Sequence, residues 1–134
     1  MKITRFEDLT IWKDSLVITR KVYDLTSKPK FNRDFALRDQ VRRAIISISS
    51  NIVEGFEKNN NNEFIRFLGI AKGSAGEARN QLYIALTIEY ISGEEFDKIG
   101  GDLEKLSAQI GAFISYLEKS RKEGKFIRGR IPTR

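Results

Sequence analysis

Neither cysteine nor histidine occurs in the chain, so any chemistry must rest on carboxylates, Lys, Arg, Ser or Tyr. That removes thiol nucleophiles, thiolate zinc sites, imidazole bases and the His-containing di-iron motif of bundle proteins. What the sequence offers instead is a polar series at helical spacing: Arg43, Ser47, Ser50, Asn51 and Glu54. Such groups, flanking a core face, must find hydrogen bonds across helices, across subunits or on a ligand. Arg43 and Glu54 stand three turns apart and cannot satisfy each other. Glu54 and Glu77 as an acid/base pair would lack a companion nucleophile or metal set. The expectation is a protein that is not an enzyme, with no cofactor and no metal.

Anion binding is the chemistry the charge pattern favours. Residues 121–134 hold six basic residues against one acid, or +5 of the chain's net +6. The preceding 120 residues carry 18 positive and 17 negative charges. Lys125, Arg128 and Arg130 are therefore candidate phosphate contacts, in a segment whose Gly124, Gly129 and Pro132 read as a flexible arm. A second group, Arg33, Arg38 and Arg42, opens the second long helix beside Lys28 and Lys30, diluted by Asp34 and Asp39. Both groups have a plainer reading as a solubilising terminus and a solvated surface.

These residues must be held by helices. The length suits one domain, and the periodicity is helical throughout, with Pro29 in a linker and Pro132 in the tail. A first helix is expected from about Asp8 to Thr26, with Leu9, Trp12, Leu16 and Tyr23 on one face. Ile11, Ile18, Val22 and Leu25 form a second apolar stripe. A second helix, from the N-cap Asp34 to about Phe56, aligns Leu37, Val41, Ala44, Ile48 and Ile52. After Asn59–Asn62, whose last Asn can cap, a third helix from about Glu63 to Ile91 buries Phe64, Phe67, Leu68, Ala71, Ala75, Ala78, Leu82 and Leu86. Ser92 to Glu95 fits a capping box before a fourth helix with a seam of Phe96, Ile99, Leu103, Leu106, Ile110, Phe113 and Leu117. Gly100-Gly101 could interrupt that helix near its start. The expected fold is all-α, an antiparallel up-down-up-down four-helix bundle over residues 1–120, with residues 121–134 as a basic tail. No apolar run approaches a membrane span and no signal-peptide core follows the N-terminus, so a cytoplasmic protein without membrane contact is expected. Gly73-Ser74 carries no nucleotide-binding meaning, because no strand precedes it.

The third helix also carries more than a lone bundle needs. Gly69, Gly73 and Gly76 fall away from its core face, although each helical Gly costs roughly 1 kcal/mol relative to Ala. Ile70, Ile84 and Ile88 point outward as well, near Glu77. With the second stripe of the first helix, this implies self-association or a tightly bound protein partner.

The segments Phe6–Lys13, Gln40–Ala44, Ser47–Gly55 and Arg66–Glu77 occur in an order and spacing that resemble a known family. It comprises small bacterial four-helix-bundle proteins first noticed in intervening sequences of large-subunit ribosomal RNA genes, also labelled the S23 ribosomal protein family. The resemblance covers roughly residues 6–117. Val53 stands where Ala is usual, and Ala36 where Gly is common. The resemblance implies a ring-like homopentamer and carries over the motif residues Arg43, Ser47, Asn51, Glu54, Gly55, Gly73 and Glu77. A related retroelement accessory protein, also a pentameric bundle, engages RNA through a basic surface, which makes RNA or DNA the partner expected by analogy. Five copies would gather about 25 net positive tail charges. The alternative is a protein-interaction scaffold with no nucleic-acid role.

Overall fold

In the computed structural model, residues 3–124 are described. A single 3-10 turn, Phe6–Asp8, leads into α1 (Thr10–Thr26), α2 (Pro29–Arg33), α3 (Phe35–Glu57), α4 (Asn61–Thr87) and α5 (Gly93–Lys122). Among the described residues there is no strand. The four long helices form a closed antiparallel ring: α3 packs on α1 and α4, and α5 packs on α4 and α1. The boundary expected at residue 120 falls two residues before the end of α5.

The core is a column of Ile18 and Val22 from α1, Val41, Ile45, Ile48 and Ile52 from α3, and Leu68 and Leu82 from α4. Leu103, Leu106, Ile110 and Leu117 of α5 complete it. Each such side chain contributes about 1.5–3 kcal/mol by leaving water. Ala71, Ala75, Ala78 and Ala85 are fully buried on α4. Their small size lets α3 and α5 approach α4 closely.

Several local expectations are corrected. On the first helix the second stripe, Ile11, Ile18, Val22 and Leu25, is core, whereas of the first stripe only Leu9 is buried, with Leu16 exposed and Trp12 and Tyr23 half-buried. With two apolar stripes on one helix, periodicity alone cannot choose the inner one; the stripe that joins the core shared with α3 and α5 wins. Pro29 does not sit in a linker but opens the short α2, where the missing N–H costs nothing, and Phe31 anchors that turn in the core. The cap of α4 is Asn60, whose side chain accepts from the Glu63 N–H at 3.0 Å, not Asn62. That helix ends at Thr87, because Glu89 turns left-handed at φ 64° and Tyr90 N–H returns to the Ala85 carbonyl at 2.8 Å. Gly100-Gly101 does not break α5, since Gly100 packs under the Phe96 ring. The Asp34 cap on the Leu37 N–H and the Ser92–Glu95 capping box form as expected.

Candidate interaction surface

Two outer seams hold the candidate residues. The first runs along α3 and α4. Helical geometry puts Arg43, Ser47, Asn51 and Glu54 on the edge of α3 that faces α4, and Ile70, Ser74, Glu77, Gln81, Ile84 and Ile88 on the opposing edge of α4. The contact that fixes this register is Ser47 Oγ to Ser74 Oγ at 2.9 Å. Asn51 donates from Nδ2 to the Ser47 carbonyl at 2.8 Å and to its hydroxyl at 2.9 Å. Ser47, Asn51 and Ser74 thus close a short polar ladder between the helices, which answers part of the demand that the polar series makes.

The rest of the series remains outward. Arg43, Ser50, Glu54 and Glu77 are exposed. Among the described residues Arg43, Glu54 and Glu77 have no hydrogen bond or ion pair. The charge of Glu54 does reach Arg66, whose guanidinium is held above its ordinary value chiefly by its hydrogen bond to Glu63. Gln81 is only 7 % exposed, yet its Oε1 has no hydrogen-bond partner. Along the same edge of α4, Ile70, Ile84 and Ile88 are each more than 40 % exposed. Gly69, Gly73 and Gly76 have open space beyond their Cα atoms. Gly55 differs from them: a Cβ there would lie 2.7 Å from Phe67 Cβ, so it is a close-packing glycine inside the bundle.

The second site is the corner where α2 meets α3. Arg38 donates to the Asn32 carbonyl and side chain at 3.0 and 3.1 Å and to Asp39 at 2.9 Å. Arg42 donates to Thr26 Oγ1 at 2.9 Å and to Ser27 Oγ at 3.3 Å, with its guanidinium 4.5 Å from the Tyr23 ring centre. These two arginines are half-buried and engaged within the chain, whereas Lys30 and Arg33 are exposed. Lys125, Arg128 and Arg130 lie outside the described residues. Phe35, which carries no weight in the sequence reading, is 65 % exposed at the first turn of α3. Its only sequence signal is a large aromatic directly after an N-cap, where no core contact is required.

Between α1 and α5 lies a cleft of about 550 Å³ floored by Leu25 and Ile99. Lys21–Asp102 at 2.8 Å and Lys28–Glu95 bridge it. Its remaining charged residues, Asp24 and Lys98, pair along their own helices with Arg20 and Glu94. Among the described residues, no group of three or more carboxylates is placed to hold a metal ion, and no helix is long and apolar enough to cross a membrane.

The model of the 23S rRNA-intervening sequence protein family matches residues 7–112, which include both seams of α3. The chain belongs to this family. A solved member-like structure, described as a protein of unknown function from the S23 ribosomal protein family of Bacteroides thetaiotaomicron VPI-5482, is 24% identical. It aligns over 78% of this chain and 98% of that chain, with a TM-score of 0.74. At that identity the likeness establishes the shared fold. No curated protein matches the chain. The intervening-sequence family model stops short of α5's last turns and of residues 113–134, so the basic C-terminal segment lies beyond the matched region.

Proposed function

We propose that this 23S rRNA-intervening sequence family member is a non-enzymatic subunit of a homo-oligomer, a pentamer by the family resemblance, that assembles through the α3–α4 seam. The observation that carries the reading is Gln81. Its amide oxygen is buried and unpartnered one turn from the exposed Ile84 and one turn from Glu77, which has no hydrogen bond or ion pair among the described residues. Leaving a buried acceptor unsatisfied costs about 1–3 kcal/mol, and a neighbouring copy can remove that cost while covering the isoleucines. Assembly gathers the basic segments, and the oligomer holds RNA or DNA through phosphate contacts from residues such as Lys125, Arg128 and Arg130.

The test is a salt-titrated binding assay of the full chain on structured RNA, single-stranded RNA and duplex DNA, with mass read by light scattering. A multi-subunit mass and an affinity that falls steeply with salt are expected. Changing Lys125, Arg128 and Arg130 to Ala should flatten the salt slope without changing the mass. An intact oligomer that binds none of the three at low salt would leave the scaffold reading. The exposed Ile84 and Ile88 favour that second reading; partner capture would then survive salt and fail on Ile84→Asp while the mass of the oligomer stays unchanged.

A further inference from the structure

The α2–α3 corner combines features that neither a core nor an oligomer contact requires. Among the described residues Phe35 is the most exposed of the large apolar side chains, at 65 %. The Arg38 guanidinium lies 4.8 Å from its ring centre, and three hydrogen bonds to Asn32 and Asp39 fix that guanidinium's plane. One turn further along α3, Arg42 makes the same kind of stack on Tyr23, again pinned by side-chain hydroxyls. Lys30 and Arg33, on the short α2 that leads into Phe35, are exposed and without an ion pair among the described residues.

Resting on the nucleic-acid reading above, we propose that this corner is a binding site for unpaired bases of a single strand, with Phe35 as stacking platform and Lys30 and Arg33 as phosphate contacts. Two physical points favour that occupant. An aromatic face beside an arginine plane accepts any base, because every base has a π-face. A protein partner would need a contiguous apolar patch, whereas Phe35 carries Arg38 over its ring and the exposed residues next to it in the chain include Asn32, Arg33 and Asp39.

The experiment is a fluorescence-anisotropy titration of the full-length oligomer with labelled oligouridine and with an RNA duplex of equal length. Phe35→Ala should weaken oligouridine binding by at least about fivefold and leave duplex binding unchanged. Phe35→Trp should restore the single-strand affinity. Lys30→Ala with Arg33→Ala should reduce the single-strand salt slope by about 1.4, two contacts at about 0.7 each. The inference is overturned if Phe35→Ala changes neither affinity or lowers both equally. It is also overturned if that variant changes the mass by light scattering, which would make the ring a contact between copies. Wild-type protein that binds neither probe would overturn the nucleic-acid reading itself; binding that ignores Phe35 would overturn this site alone.

Discussion

The α3–α4 seam and the cleft between α1 and α5 settle their charges in opposite ways. Across α1–α5 the packing is loose enough to leave a 550 Å³ cleft, yet every charge that lines it has an ion-pair partner within the chain. Across α3–α4 the helices come close enough to exclude a Cβ at Gly55 and to join Ser47 to Ser74, yet among the described residues Arg43, Glu54 and Glu77 remain unpaired and Gln81 Oε1 unsatisfied. A cleft whose charges balance internally is complete as a single chain. A seam that is tightly packed inside and unbalanced outside is built to be covered.

The largest expected effect tests the inner half of that contrast. Gly55→Val should destabilise by about 1–3 kcal/mol through overpacking against Phe64 and Phe67, read as a fall in melting temperature. A silent Gly55→Val would mean that the α3–α4 approach is not tight. Next comes the outer half: Ile84→Asp should reduce the mass toward a single chain while costing the isolated fold no more than about 0.5 kcal/mol, as surface changes usually do. An unchanged mass would place the interface elsewhere. Arg43→Ala should loosen the assembly more mildly, and an unaltered mass and melting temperature would count against its role there.

On the α1–α5 side the effects are smaller. Lys21→Ala should cost no more than about 1 kcal/mol, since exposed ion pairs are worth little. Acid sharpens the comparison further. The Lys28 ammonium, then the Ser92 backbone N–H, hold the Glu95 carboxyl below its ordinary value of 4.5. Because the folded value lies below the unfolded one, Glu95 contributes stability above about pH 4.5 that is lost as pH falls through the folded value. Lys28→Ala should flatten that acid limb in a melting series, and an unchanged limb would show that the pair contributes nothing.

Much of this was legible in the sequence, for a physical reason. Helices α3 and α5 carry single, strict apolar stripes, and their caps, Asp34 and Ser92, are residues with one obvious role. α1 resisted because it is apolar on two sides, so its orientation depends on what the other helices present. The Asn59–Asn62 run offers several equivalent caps, and only the left-handed turn at Asn59 selects Asn60. The polar series of α3 could be read as sharing an edge, but not that Ser74 would answer Ser47, because that pairing depends on the register of a second helix. Arg38 and Arg42 were visible as charges. Their engagement with Asn32, Thr26 and Ser27 depends on the α2 turn, which the sequence presented as a linker.

The α1–α5 seam also joins the first and last long helices, with Lys21 and Asp102 81 positions apart in sequence. Closing such a long loop costs entropy that neighbouring helices in the chain do not incur. The bundle should therefore breathe from that edge: in native-state hydrogen exchange, amides of α1 should open at lower free energy than those of α4, baring Ile18 and Val22 while the α3–α4 hairpin stays shut. An assembly that grips only α3 and α4 would leave this edge free to move in every subunit.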